Sequence, residues 1–256
     1  GKGRARGREI RALLDSARQA GIDIRADLYP YPASYTTIGI VFPDWARPPN
    51  HYPSVRQLKR QQLQQYLINR ITKRNGPEAT LFGTGPYLGK TLATLEQERE
   101  KNFADILMDD IGPQGASAAY FVMDSILIDE LLQDSLLMIS SDGSPSMRHP
   151  RGYGAFAKII QENVVRRQQL PLEQAIHKMS GLPAESMKID RRGLIRVGYF
   201  ADILLFHPDS IQATASFAQP HQLAKGMDLV IINGQIALEN GTLNANRAGR
   251  VLRRTH

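Results

Sequence analysis

The chain has no cysteine among its 256 residues, which excludes a disulfide framework and any thiolate metal ligand, and by itself assigns no compartment. Histidine is sparse too. His51, His149, His177, His207, His221 and His256 are scattered, and no two of them stand as a His-x-His pair. A zinc site needs about three nitrogen, sulfur or oxygen ligands held together, with one position left for water. This chain is therefore not expected to build such a site alone. No run approaches the roughly 20 apolar residues of a membrane span. The opening GKGRARGR lacks the apolar segment that follows the charges of a secretory signal, so a cytoplasmic location is the default expectation.

What is present fits a globular piece. Hydrophobic residues make up 42% of the chain, and the length is sufficient for a substantial core in one or two domains. The net charge of +7 raises the question of nucleic acid. The basic clusters lie at the two ends, in GKGRARGR and from Arg247 to Arg254, with no interleaved aromatics to stack on bases. Charge alone supports only nonspecific contact, and solvated termini are the preferred reading. A phosphate-cradling loop is also disfavoured: Gly83-Thr84-Gly85 and Gly89-Lys90-Thr91 are glycine-rich, but the frame Gly-x-x-x-x-Gly-Lys-Thr is not kept.

The segment from Leu136 to Gly154, LLMISSDGSPSMRHPRGYG, is the most informative. Its apolar start has the character of a strand covered on both faces, stopped by Asp142-Gly143. An isolated Asp-Gly is most often only a turn. Here it is followed by His149-Pro150-Arg151-Gly152-Tyr153-Gly154, which puts a planar cation suited to bidentate recognition of a carboxylate into the same loop. In barrels of alternating strands and helices, catalytic groups gather at the carboxyl ends of strands.

Organisation changes near Arg191. Before it, strand signals alternate with amphipathic helices: Glu9 to Ala20 reads as a helix, Ile22 to Leu28 as an enclosed parallel strand, and Leu172 to Met179 as a helix that Pro183 prevents from continuing. His177 falls off that helix's apolar stripe and is expected on the surface. The excursion from about Asp44 to Gly115 is too long for an ordinary loop. It is expected to carry one polar helix marked by Val55, Leu58, Leu67, Ile68 and Ile71, and another over Leu92 to Asp110. After Arg191 short strands are expected over Gly193 to Val197 and Ala201 to Phe206. Asp228 to Ile232 and Gln235 to Leu238 flank the hairpin dipeptide Asn233-Gly234.

Taken in order, several motifs resemble the D-aminoacylases, the N-acyl-D-amino-acid deacylases of the amidohydrolase superfamily. They are Ala26-Asp27-Leu28-Tyr29-Pro30-Tyr31, Phe42-Pro43-Asp44-Trp45, Ser141-Asp142-Gly143 with His149-Pro150-Arg151, and Lys178-Met179-Ser180-Gly181-Leu182-Pro183-Ala184. Arg192-Gly193-Leu194-Ile195, Phe200-Ala201-Asp202-Ile203, Pro220-His221-Gln222, Val230-Ile231-Ile232-Asn233-Gly234 and Gly249-Arg250-Val251-Leu252-Arg253 continue the series. The resemblance covers only the later half of the family's pattern, without the early His-x-His pair, the cysteine ligand and the later histidines. It implies an α/β fold: part of a metal-dependent (β/α)8 barrel over residues 1–191, with a helical insertion at about 44–115 placed as a lid, and part of a small β-sandwich over 192–256.

The chemistry that the resemblance implies is zinc-dependent hydrolysis of an N-acyl-D-amino acid. Asp142 is the catalytic general base and then acid. Arg151 and the hydroxyl of Tyr29 clamp the substrate's α-carboxylate. The metal ligands are expected upstream of this chain, on a preceding segment or a half-chain that completes the barrel. His149 is left open between meeting substrate and capping the loop, and Tyr29 and Tyr31 are alternatively core aromatics. The other readings are a noncatalytic fragment or gene remnant, and a hydantoinase- or dihydroorotase-like amidohydrolase. No nucleic-acid or membrane partner is expected.

Overall fold

The computed structural model describes residues 3–253. Gly1, Lys2 and Arg254 to His256 lie outside the described residues, and with them the extreme ends of both basic clusters and His256. In chain order the helices are α1 (Gly3–Gln19), α2 (Tyr52–Leu58), α3 (Arg60–Thr72), α4 (Leu92–Arg99), α5 (Phe103–Asp105), α6 (Ser125–Leu131), α7 (Arg151–Lys158), α8 (Leu172–Met179) and α9 (Gly181–Ser186). The strands are β1 (Ala26–Leu28), β2 (Ser34–Thr37), β3 (Thr80–Phe82), β4 (Ser117–Tyr120), β5 (Leu137–Ile139), β6 (Ile203–Phe206), β7 (Met227–Ile232), β8 (Gln235–Glu239) and β9 (Thr242–Leu243). Among the described residues no helix is long and apolar enough to cross a membrane.

The chain forms two compact units. One comprises residues 1–30, 124–145 and 150–256; the other comprises 31–123 and 146–149.

In the first unit β1 and β5 pair in parallel, Ala26 opposite Leu137 and Leu28 opposite Ile139. The Ser140 amide extends the ladder to the Leu28 carbonyl at 2.8 Å. The expected strand over Ile22 to Leu28 is thus confined to its last three residues. Helix α1 packs on α6, and Gly7 allows the close approach, because a Cβ there would sit 2.7 Å from the Glu130 side chain. Asp124 caps α6 by accepting from the Ile126 amide at 2.8 Å and the Leu127 amide at 3.3 Å. Lys178 on α8 is fully buried, with its ammonium donating to the carbonyls of Leu137, at 3.1 Å, and Asp134. That contact ties α8 to the entry of β5, and burial lowers the lysine's pKa.

Two expectations in this unit are corrected. Pro183 does not end a helix; it lies in the first turn of α9, where its missing N–H would have no intrahelical partner anyway. The break that separates α8 from α9 falls at Ser180 (φ −135°, ψ −73°). Gly193 to Val197 is not a strand: Leu194, Ile195 and Val197 are exposed and pair with nothing regular. The remaining β elements form one antiparallel sheet in the order β6-β7-β8-β9. Its β7–β8 hairpin turns at Asn233 (φ 49°) and Gly234 (φ 78°), and its β8–β9 hairpin at Asn240 (φ 49°) and Gly241 (φ 77°), all in the left-handed region that this turn type requires.

The second unit holds the long excursion. Leu63, Leu67 and Ile71 of α3 pack with Ile38, Phe42, Phe82, Leu92, Leu95, Ile106, Leu107 and Tyr120 in one core. Against this core lies an antiparallel sheet in the order β2-β4-β3, which was not expected. Both expected helices are divided. Lys59 (φ −122°, ψ 29°) separates α2 from α3 and leaves Leu58 exposed. Glu100 turns left-handed (φ 48°) to end α4, and Asn102 caps α5 through the Ala104 amide at 2.9 Å. Past α5 the helix widens into a π turn over Ile106–Ile111.

Candidate active site

Because β1 and β5 run parallel, their carboxyl ends face the same way, and the residues just beyond them meet. Tyr29 follows β1 directly, and Asp142 follows β5 after two serines. Arg151, the first residue of α7, completes the group. Its Nη2 lies 2.7 Å from Asp142 Oδ2, and its Nε donates to the Asp142 carbonyl at 2.9 Å. The guanidinium carbon sits 4.4 Å from the centroid of the Tyr29 ring, a cation–π distance. Exposure is unequal within the pair: the Arg151 side chain is 4% accessible and the Asp142 side chain 61%.

Local backbone geometry sets this arrangement. Asp142 has φ 42°, a left-handed conformation that Asp tolerates better than most residues. Gly143 lies against Gly152, and a Cβ on Gly143 would be 2.6 Å from the Gly152 Cα. Glycine is needed there for the strand-end loop and the start of α7 to come together. Burial raises the Tyr29 phenol above its ordinary pKa, and the Arg151 charge works against that shift. Tyr29 is therefore a neutral phenol at neutral pH.

The other singled-out residues lie elsewhere. His149 is fully buried within the second unit, its Nε2 3.0 Å from the Ala33 carbonyl oxygen. Its ring meets Tyr31 edge-on at 5.4 Å. Burial pushes the Tyr31 phenol up to about 12, and both side chains have the setting of packed core groups. His177 is exposed on α8, as its place off the apolar stripe implied. Buried Lys178 escaped the sequence reading, since a lysine in the last turn of a helix ordinarily points to water. An apolar groove of about 800 Å³ also escaped it; it is lined by Tyr153, Phe156, Ile160, Ile176, Leu194 and Leu204 among others. Among the described residues no cluster of three His, Cys, Asp or Glu side chains is arranged to hold a metal ion. Asp142 belongs to no such cluster, so the described residues do not make a zinc site.

Asp142 and Arg151 thus meet beyond the carboxyl ends of two parallel strands in a mixed α/β fold, and comparison gives the family. The chain belongs to the amidohydrolase family, whose model matches residues 87–238. It is 33% identical to the N-acyl-D-aspartate deacylase of Alcaligenes xylosoxydans xylosoxydans over 247 residues, covering 94% of this chain and 43% of that protein. The N-acyl-D-glutamate deacylase of the same organism is 31% identical, with coverage of 95% and 44%. The chain thus spans less than half the length of the curated relatives it matches. Its mixed α/β fold matches a D-aminoacylase crystal structure with a TM-score of 0.75 and 29% identity, over 97% of this chain and 46% of that one. It also matches N-acyl-D-glutamate deacylase from Bordetella bronchiseptica, solved with zinc and a phosphonate inhibitor, with a TM-score of 0.74, 26% identity and coverage of 99% and 47%.

Proposed function

We propose that this chain supplies the proton-transfer and carboxylate-binding part of an amidohydrolase that cleaves N-acyl-D-amino acids. The observation that carries the reading is the juxtaposition of Asp142 with a buried, ring-stacked Arg151 at the ends of β1 and β5. The deacylase relatives agree with it. In the reaction Asp142 accepts the proton of the attacking water and delivers it to the amide nitrogen as the C–N bond breaks, releasing a carboxylate and a free D-amino acid. Arg151 holds the substrate's α-carboxylate, and the neutral Tyr29 hydroxyl donates to the same group.

Zinc belongs, in this reading, to ligands outside this chain, and no step here runs through it. The same applies to the rest of the fold. We read residues 1–191 as part of a (β/α)8 barrel with the helical insertion at about 44–115, and 192–256 as part of a β-sandwich. Two features support an upstream half as partner: among the described strands β1 and β5 pair only with each other, and edge strand β6 leaves Leu204 and Leu205 more than half exposed. A cytoplasmic location goes with this reading.

The test is zinc content together with hydrolysis of N-acetyl-D-methionine, for this chain alone and for a polypeptide extended through any preceding coding sequence. Zinc and turnover in the extended form alone are the expected result. Neither in either form would make the site a relic in a noncatalytic fragment.

A further inference from the structure

The pairing of Arg151 with Asp142 has a functional implication of its own. If Arg151 is the substrate's carboxylate clamp and Asp142 the base, as the reading above holds, the clamp is occupied by the base before substrate arrives. Arg151 grips Asp142 twice, through the backbone carbonyl at 2.9 Å and the carboxylate at 2.7 Å. The left-handed backbone of Asp142 presents both oxygens to the same guanidinium. Arg151 is the enclosed member, nearly inaccessible and stacked on Tyr29, whereas the Asp142 side chain is largely solvent-exposed on its far side.

We infer that Asp142 and Arg151 form a substrate-released latch, in which the α-carboxylate of the incoming N-acyl amino acid displaces the Asp142 carboxylate from Arg151. The incoming group matches the outgoing one in charge and geometry, so the guanidinium keeps a carboxylate partner throughout. An incoming carboxylate competes well with the Asp142 carboxylate at the guanidinium, and a neutral amide competes poorly. The latch thereby couples recognition of the acid end of the substrate to release of the base, and a ligand without that group leaves Asp142 paired. Tyr29 is the positioning residue, because its ring holds the guanidinium plane while the partners exchange.

The test is calorimetric binding of N-acetyl-D-methionine and of its C-terminal amide to the form extended through any preceding coding sequence. The variants are Asp142→Asn, Asp142→Gly and Arg151→Lys. Asparagine and glycine both accept the left-handed backbone, so the loop is kept while the latch is removed. The latch predicts that both Asp142 variants bind the acid about fivefold more tightly, the gain expected for removing one partly exposed ion pair. The amide should show no such gain, and Arg151→Lys should weaken the acid. A 13C signal from the Asp142 carboxyl separates release from loss of simple charge repulsion. On adding the acid to wild type, it should move toward its position in Arg151→Lys, and it should stay in place with the amide. Equal affinity in wild type and Asp142 variants, or an unmoved carboxyl signal, would overturn the latch while Arg151→Lys still reported on the clamp. No saturable binding to any form would overturn the clamp reading and the latch with it.

Discussion

At the scale of single residues, Arg151 is held between the Asp142 carboxylate, 2.7 Å from its Nη2, and the ring of Tyr29. Asp-Gly at the end of an apolar run and His-Pro-Arg shortly after are visible in the chain. The left-handed turn at Asp142 accompanies the close approach of Gly143 to Gly152 across the same loop, a contact that neither motif announces. Tyr29 was read through its hydroxyl, and the structure adds its ring face. Replacing Tyr29 with Phe keeps the stack but removes the hydroxyl that donates to the substrate carboxylate, and should weaken the affinity for N-acetyl-D-methionine by about tenfold, whereas Leu, which removes the ring face as well, should weaken it further. Titration calorimetry measures both. Lys178 makes a second residue-scale prediction. Changing it to Met leaves the Asp134 and Leu137 carbonyls without their donor and should cost about 2 kcal/mol in urea unfolding, with an unchanged dependence on denaturant.

At the scale of elements, legibility followed local signals. The β7–β8 hairpin was readable because Asn-Gly demands its turn, and α8 because its apolar stripe repeats at the helical period. Strands β2, β3 and β4 are three or four residues long, SYTT, TLF and SAAY, too short to carry an alternation pattern. Only tertiary packing makes them a sheet. The stretch Gly193 to Val197 shows the opposite error, since apolar content without a pairing partner does not make a strand. One element contact is open to a pH test. Arg60 on α3 pairs with Asp109 in the π turn at 2.8 Å and, chiefly through that hydrogen bond, lowers the Asp109 carboxyl from 3.8 to about 2. The unfolded chain binds the proton first as pH falls, so this contribution to stability is full above about pH 4 and lost as pH drops toward 2. Unfolding midpoints of wild type and Asp109→Asn should therefore converge over that interval; a gap that stays constant would contradict the pairing.

At the scale of the whole molecule, the chain spans less than half of the relatives that match it, and its described residues hold no cluster of three His, Cys, Asp or Glu side chains arranged for a metal ion. The exposed apolar residues of β6, with the groove lined by Phe156 and Leu204, leave surface that a further segment would cover. Made alone, the chain should self-associate at micromolar concentration in sedimentation, and the form extended upstream should not. The lack of a His-x-His pair was legible in the sequence, because a ligand set is a list of residues and can be counted. The latch was not, because it depends on which oxygen meets which nitrogen.

The measurement that bears most directly on the account is turnover of N-acetyl-D-methionine by the upstream-extended form, wild type against Asp142→Asn, with binding of the same compound followed in parallel. The account predicts a loss in kcat of at least about a hundredfold, with the substrate bound more tightly than before. An Asp142→Asn variant that turns over at the wild-type rate would contradict it.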